Sequence, residues 1–337
     1  LLGDNGIPIA TTVQNSKYVV DSKLISFFGR LNYNVADRYL LALSVRHDGS
    51  SRFGPTNAWG TFPSVSLGWR ISQEPFLRGF TALSDLKLRA SWAKTGNQAF
   101  ADYQQYAAYQ YSNQQAQYCF GSQCFTTIRP SAVDPNIKWE ATSAYDLGLD
   151  YGFLNQRFSG SIDWYRKNTS DLIFTVPVAA GSNFSNYLTT NVGSMRNQGI
   201  ELSLSARILD AREASLGWMA DFTVSHNTNE LVSINPSRSV AQIPTGNISG
   251  GVGTTAQILE PGVPINSFYV CPQYYQSGKP VEGKFYNLAG DSVLTSCTAA
   301  NQRAYHDPAP KWILGHTSNF TFHNFDLSFT LRAYLGN

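Results

Sequence analysis

The sequence has few charged residues and no long apolar run. Asp, Glu, Lys and Arg make up 14% of its 337 residues, and the net charge is +2. It contains no basic run and no basic face at helical spacing, so it lacks the electrostatic footprint of a nucleic-acid-binding protein. The longest apolar run, YLLAL at 39–43, is far shorter than the roughly 18 residues of a membrane-spanning helix. The sequence therefore predicts neither a nucleic-acid partner nor a transmembrane helix.

Residues suited to metal binding or covalent catalysis are scattered. None of the histidines is paired with Cys or a carboxylate at metal-ligand spacing; they are His47, His226, His306, His316 and His323. Ser225 and His226 are adjacent in a predicted strand, so they point to opposite faces and cannot act as a hydrolase pair. We expect no metal, no cofactor and no enzymatic activity.

Cysteine is rare, and its distribution indicates pairing. Cys119 and Cys124 lie in YCFGSQCF, while Cys271 and Cys297 flank another loop-like stretch. Paired cysteines in loops suggest two disulfides and an oxidising compartment. Zinc is the competing interpretation; it is less favoured because the CxxxxC spacing is not typical of zinc sites and no histidine sits beside it.

Aromatic residues are abundant, at 13% of the chain, and many of them alternate with polar residues. In WEATSAYDLGLDYGF, from Trp139 to Phe153, large apolar side chains occupy most of the odd positions and small or acidic ones the even positions. A period of two predicts a β-strand with one apolar and one polar face. About ten such segments occur, at 24–33, 38–50, 61–72, 86–92, 139–153, 156–170, 200–208, 215–228, 311–323 and 325–335. The segment at 311–323 is the least regular, because His316 and Ser318 interrupt its apolar face.

The predicted connections alternate between short and long. Short links are expected at 35–37, 154–156, 209–214 and 324, with a medium one at 73–85; long Gly/Asn/Ser/Pro-rich loops are expected near 49–60, 98–138, 171–197 and 229–310. All long loops then leave the same end of the sheet, which is typical of outer-membrane barrels. The predicted fold is all-β, an antiparallel transmembrane β-barrel with an apolar face toward lipid and a polar face toward the lumen.

The alternation assigns a set of charged residues to the lumen and aromatic residues to the two rims. The predicted lumen-facing residues are Arg46, Lys87, Arg89, Glu140, Asp146, Asp150, Glu201 and Arg207. They could line a permeation path, although any wide barrel needs a polar interior to meet water and a plug. Trp139 and Trp312 are expected near the outer rim, with Tyr39, Tyr151, Phe153 and Phe325 near the periplasmic rim.

The predicted loop at 98–138 is rich in tyrosine and glutamine. Tyr103, Tyr106, Tyr109, Tyr111 and Tyr118 lie in DYQQYAAYQYSNQQAQYCF. Tyrosine rings stack on sugars and serve equally well at protein contacts. Ligand contact, contact with a lid or partner protein, and packing within the loop itself therefore remain open for these five residues.

Several motifs, in this order, resemble SusC/RagA-type TonB-dependent outer-membrane transporters. They begin with RHDGSSRFGPTNAWGTFPSVSLGWRISQEPF and LSDLKLRASWAKTGNQ, followed by IKWEATSAYDLGLDYGFLNQRFSGSIDWYRKNTSDLI. The family's N.G...N.G.E element is matched by Asn191, Gly193, Asn197, Gly199 and Glu201. Its G.P...F element is matched by Gly262, Pro264 and Phe268, and a late hairpin by PKWILGHTSNFTFHNFDLSFTLRAYLGN. The resemblance spans nearly all of 22–337.

The resemblance implies TonB-powered import of oligosaccharides or oligopeptides, with a SusD-like surface lipoprotein as a lid. It also implies a dimer of transporter–lid pairs. A barrel of this kind has about 22 strands and a plug. We therefore expect 1–337 to be a partial barrel domain whose plug, TonB-engaging segment, early strands and last strands lie elsewhere in a longer protein. The alternatives are a passive or structural barrel and, less consistent with the loop pattern, a soluble glycan-binding sandwich.

Overall fold

A continuous ten-stranded antiparallel sheet forms the body of the molecule, seen in a computed structural model. The structure describes residues 19–77, 79–111, 117–179, 181, 185, 187–210, 215–234, 242–249 and 255–336. The wall strands are β1 (Leu24–Val35), β2 (Tyr39–Ser50), β3 (Trp59–Arg70), β4 (Leu83–Asn97), β5 (Glu140–Phe153), β6 (Phe158–Ser170), β7 (Ser194–Leu209), β8 (Leu216–Ser233), β9 (Trp312–Phe322) and β10 (Phe325–Leu335). Each pairs with its neighbour in the chain, so the predicted all-β meander is confirmed.

The connections alternate as predicted. Short turns join β1 to β2, β5 to β6 and β9 to β10, and a turn with two 3-10 segments, Ile71–Gln73 and Pro75–Leu77, joins β3 to β4. Residues 211–214 of the predicted link between β7 and β8 lie outside the described residues. At the first turn Ala36 and Asp37 have φ of 52° and 56°, the left-handed pair that a type I′ hairpin turn requires.

The long loops carry their own short strands. Two-stranded pairs are formed by Tyr109–Tyr111 with Ile128–Pro130, Gln117–Phe120 with Gln123–Thr126, and Ile173–Pro177 with Tyr187–Asn191. The loop between β8 and β9 holds two small sheets, built from Ile243–Asn247, Thr255–Leu259, Ser267–Val270 and Arg303–Tyr305, and from Gln273–Gln276, Lys279–Tyr286 and Val293–Leu294. A 3-10 turn covers Ala299–Asn301. Among the described residues, no helix is long and apolar enough to cross a bilayer.

The register separates an apolar row from a polar row across the wall. Residues paired side by side on β2 to β7 give one row of Leu41, Leu67, Ala90, Leu147, Trp164 and Ile200. The next row, from β3 to β8, contains Gly68, Arg89, Gly148, Asp163, Glu201 and Ser225. Successive side chains of a strand point to opposite faces, so one face of the sheet is apolar and the other polar.

The wall differs from the prediction where β7 and β8 extend beyond their expected ends. β7 begins at Ser194 and β8 continues to Ser233. Asn229 Nδ2 donates to Asn197 Oδ1 at 2.8 Å across this extension. The polar pair keeps the two strands together where the apolar alternation has stopped, so periodicity alone did not predict this part.

The two tryptophans expected at the outer rim lie there. Trp312 starts β9 at the outer end and stacks on His226 with ring centroids 4.3 Å apart. Trp139 also lies at the outer end, but its ring packs on Phe53 at 4.8 Å and on Phe62 at 5.3 Å. Phe53 is buried, so Trp139 helps to seal the β2–β3 loop against β5.

Candidate functional site

The polar face of the wall carries a charge cluster centred on Arg89 of β4. Arg89 Nε and Nη2 donate to the two carboxylate oxygens of Asp150, both at 2.9 Å. Nη2 also reaches Asp163 at 2.6 Å, and Nη1 lies 3.8 Å from Asp146. Lys87 Nζ lies 3.9 Å from Asp150. One guanidinium therefore bridges three wall strands through charge-assisted hydrogen bonds.

Glycine at position 148 makes this bridge possible. Gly148 lies between Arg89 and Asp163 in the register. A Cβ on Gly148 would come within 2.6 Å of Arg89 Nη2 and would also collide with the Asp163 carboxylate. The absence of a side chain lets the guanidinium cross β5 and reach β6. Sequence reasoning included Arg89 and Asp150 but missed Asp163, because the contact depends on the register of three strands.

The other predicted lumen residues do not join this cluster. Arg46 pairs with Asp48 at 2.7 Å and Arg207 with Asp210 at 3.5 Å. Glu140 accepts from Asn97 Nδ2 and from the backbone N–H of Ile173, both at 3.1 Å, so it joins the wall to a loop. Glu201 lies beside Asp163 in the polar row.

The outer loops contain a hydrophobic core of their own. Its buried members come from the loop between β6 and β7, the end of β8 and the loop between β8 and β9; they are Leu172, Val176, Val192, Leu231, Ile243 and Leu259. Each is at most 5% exposed. We call these six residues the outer core. The loop between β6 and β7 and the long loop between β8 and β9 are thus packed together rather than independent.

The residues of the family motifs form joints around this outer core. The backbone N–H of Lys138 donates to Asn191 Oδ1, and Asn191 Nδ2 donates to the carbonyls of Lys138 and Asp171, all at 2.8 Å. Gly262 N–H donates to the Leu231 carbonyl at 2.8 Å, next to Pro264. These motifs therefore hold the loops to the wall.

The tyrosines of the loop between β4 and β5 lie in different parts of that loop. The Tyr103 hydroxyl bonds to the backbone of Asp21, ahead of β1, at 3.0 and 3.2 Å. Tyr106 and Tyr109 are exposed, and Tyr118 lies on a separate hairpin. Tyr111 belongs to a short strand, and its side chain lies outside the described part of the structure. Ligand or partner contact by these residues stays a prediction.

Both predicted cysteine pairs are disulfides, Cys119–Cys124 and Cys271–Cys297. The first closes the hairpin Gln117–Thr126. On one face of this hairpin Tyr118, Phe120 and Phe125 are 61%, 67% and 55% exposed. Neighbouring rings in this set meet edge to face, with centroids 4.8 and 6.3 Å apart.

A polar chain interrupts the apolar face of β8 and β9. Trp218 Nε1 donates to Ser318 Oγ at 3.2 Å, and Ser318 Oγ lies 3.1 Å from His316 Nε2. His316 Nδ1 lies 3.2 Å from the carbonyl of Asp221. A carbonyl only accepts, so Nδ1 carries a hydrogen, and in the neutral imidazole Ser318 donates to Nε2. The break in the apolar alternation at His316 and Ser318 indicated polar groups on this face. The sequence did not predict that Trp218 and Asp221 would be their hydrogen-bond partners.

Aromatic rings shield this polar chain. Phe222 stacks on His316 with centroids 4.3 Å apart, and Trp218 stacks on Phe320 at 5.4 Å. Ser318 is 1% exposed. The three side-chain polar groups are therefore hydrogen-bonded, and the central one, Ser318, is buried on a mostly apolar face. No group of three His, Cys, Asp or Glu suited to hold a metal occurs among the residues the structure describes.

The strand order, loop alternation and opposed faces define the wall of an outer-membrane barrel. Residues 2–337 match the family described as "TonB dependent receptor-like, beta-barrel". The chain belongs to this family, and its place is the bacterial outer membrane. The ten strands are part of a barrel wall, and the sheet is not closed.

Within the family, the chain is of the SusC/RagA type, as the motifs predicted. It is 40% identical over 328 residues to TonB-dependent receptor SusC of Bacteroides thetaiotaomicron, covering 96% of this chain and 32% of SusC. It is 30% identical to TonB-dependent receptor P3 of Formosa agariphila, covering 97% of this chain and 33% of P3. This chain thus spans about a third of the length of these curated relatives.

A solved structure shows the same arrangement. The structure described as the RagAB peptide transporter superposes with a TM-score of 0.81 at 25% identity, covering 99% of this chain and 35% of that one. The RagAB peptide importer in the "open-open" state gives 0.79 at 25% identity, again covering 99% and 35%.

Proposed function

We propose that this barrel imports oligosaccharides or oligopeptides across the outer membrane, powered by TonB and closed by a SusD-like surface lipoprotein. The observation that carries the proposal is the family match along nearly the whole chain, together with 40% identity to SusC. The likeness to a peptide transporter recorded in an "open-open" state supports a partner that opens and closes. The barrel itself does no covalent chemistry.

We infer different roles for the polar face of the wall and for its outer loops. The Arg89 cluster lies on the polar face, where a plug and water would meet charged side chains whose charges are largely balanced within the wall. The outer core gives the loops a fixed shape at the mouth. The exposed rings of Tyr106, Tyr109 and Tyr118 are the proposed contacts for ligand or lid.

The test is uptake of labelled oligomers by cells that carry or lack the gene. We expect gene-dependent uptake of an oligosaccharide or an oligopeptide that stops when TonB is deleted or the proton gradient is collapsed. A passive barrel would admit the label regardless of TonB. Gene-dependent uptake that persists without TonB would overturn energised import in favour of a pore. If the gene increased the uptake of neither oligosaccharides nor oligopeptides, the proposal would be overturned altogether.

A further inference from the structure

A cavity of about 170 Å³ lies between the two outer loops that flank β5 and β6. One wall is the end of the first loop, with Arg129 and Ser131; the other is the hairpin of the second loop, with Thr175, Tyr187 and Thr189. Its volume is below the roughly 300 Å³ of a typical small-molecule site, so it fits one end group of an oligomer rather than a whole chain.

The two walls of this cavity are held in a fixed relation. Asn191 and Lys138 exchange two hydrogen bonds of 2.8 Å between the loops. Thr190 donates to the carboxylate of Asp134 beside them. The Thr175 and Thr189 hydroxyls bond to each other at 2.8 Å within the second wall. The cavity is therefore formed before a ligand arrives, which reduces the entropy lost on binding.

The charge of the lining comes from one residue. Of the described residues around the cavity, Arg129 alone carries a charge, and the others that bear polar side chains offer hydroxyl and amide groups, as Ser131, Tyr187 and Gln104 do. Arg46, Arg52, Arg89, Arg196 and Arg207 lie within 4 Å of a carboxylate, whereas Arg129 belongs with arginines such as Arg157 and Arg303, whose charges are not taken up in such pairs among the described residues. Arg129 has no ion pair within the described part of the chain.

We infer that this cavity binds a carboxylate of the imported oligomer, with Arg129 as the anion-binding residue. A guanidinium presents a planar fork that pairs with both oxygens of a carboxylate. The hydroxyls of Ser131 and Tyr187 and the amide of Gln104 add neutral donors around it. The carboxylate could be the C-terminus of an oligopeptide or the acid group of a uronic-acid sugar. This inference rests on the proposed function.

The test measures binding to the full-length transporter purified with its lid, by titration calorimetry in detergent. The ligands form two pairs, an oligopeptide with a free or an amidated C-terminus, and an oligosaccharide with or without a terminal uronic acid. In one pair the acid should bind about ten- to hundredfold more tightly than its neutral partner, the range of a charge-assisted hydrogen bond. Which pair shows the preference identifies the source of the carboxylate.

Arg129→Gln should abolish that preference while leaving affinity for the neutral partner unchanged. Arg129→Lys should keep part of it, because a point charge remains without the fork. Lys279→Gln is the matched control, since it removes one exposed positive charge from a different loop hairpin and should keep the full preference. Heat-modifiable gel mobility verifies that each variant is folded.

Equal affinities of acid and neutral ligands for the wild type would overturn the assignment, as would an undiminished preference in Arg129→Gln. Import could still stand in either case, because oligomer binding would then not depend on Arg129. If no oligomer of either class binds or enters cells, the proposed function fails as well, and the two failures are distinguished by the neutral ligands.

Discussion

The wall and the outer loops use apolar side chains in opposite ways. On the wall Leu147 is 48% exposed and Leu327 is 63% exposed, whereas Leu231 and Val176 of the outer core are 1% and 2% exposed. A wall side chain on the apolar face meets lipid, so its burial from water depends on the bilayer. The loops protrude from the bilayer into water and need a dry core built from their own residues.

The polar side chains of the two regions also differ in how they are hydrogen-bonded. In the outer loops Asn191 bonds to backbone groups of 2 neighbouring segments, at Lys138 and Asp171. On the apolar face of the wall, by contrast, Ser318 and His316 form a closed chain under aromatic rings. In lipid no water can replace a lost partner, so each polar group there must be satisfied by the protein. A substitution that destabilises one region should therefore leave the other region folded.

The largest effect should follow Leu231→Ala in the outer core. It removes a fully buried side chain and leaves a cavity, at a cost of about 2–5 kcal/mol. Because this core lies at the outer end of β8 and otherwise belongs to the loops, we expect the loops between β6 and β7 and between β8 and β9 to become sensitive to protease. The folded barrel band on an unheated gel should remain.

Leu327→Ala is the control for this change, since it truncates the same side chain on the apolar face of the wall. It should leave protease resistance of the loops unchanged. If Leu231→Ala instead melted the whole barrel with no separate loop transition, the loops and wall would be one cooperative unit and the comparison would be wrong.

Ser318→Ala should weaken the wall and spare the loops. It leaves the Trp218 indole N–H and His316 Nε2 without their partner on an apolar face. A buried unsatisfied group costs about 1–3 kcal/mol, to be measured as a lower urea midpoint of the barrel in lipid vesicles. The Ser328 hydroxyl bonds to Asn319 at 2.7 Å on an exposed site, so Ser328→Ala should change the free energy of unfolding by less than about 0.5 kcal/mol.

Equal midpoints for Ser318→Ala and Ser328→Ala would show that the polar chain adds nothing to the wall. Protease sensitivity of the loops in Ser318→Ala would show that damage spreads from wall to loops, against the independence of the two regions.

The wall could be predicted from the sequence because a period of two fixes both strand and face. Leu147 and Asp146 fall on opposite faces by spacing alone, and the short turns follow from where the alternation stops. The Arg89–Asp163 contact could not be predicted in this way, since it requires the register of β4, β5 and β6 and a glycine between the partners. The outer core has no single period, so Leu172 and Leu259 gave no signal that they would meet.

The smallest effect is expected at the opposite end of the wall, where Glu74 lies in the turn between β3 and β4. Its carboxylate accepts from Trp69 Nε1 at 3.0 Å and from the Tyr39 hydroxyl at 2.8 Å. These hydrogen bonds, Trp69 foremost, hold the pKa of Glu74 below its ordinary value, and Arg38 adds a smaller contribution in the same direction. The ionised form is therefore favoured in the folded protein.

Linkage then sets the direction of the pH dependence. A carboxylate whose pKa is lowered by folding stabilises the protein above its unfolded pKa, about 4.3 for glutamate, and this stabilisation is lost as pH falls through the folded pKa. The urea midpoint of the wild type should exceed that of Glu74→Gln at pH 7, and the difference should shrink toward pH 3. Glu282→Gln, at an exposed position in a loop hairpin, should show no such convergence. A constant difference between wild type and Glu74→Gln across this range would mean that Glu74 acts by packing alone, and that the periplasmic turn, like the apolar face, is insensitive to charge.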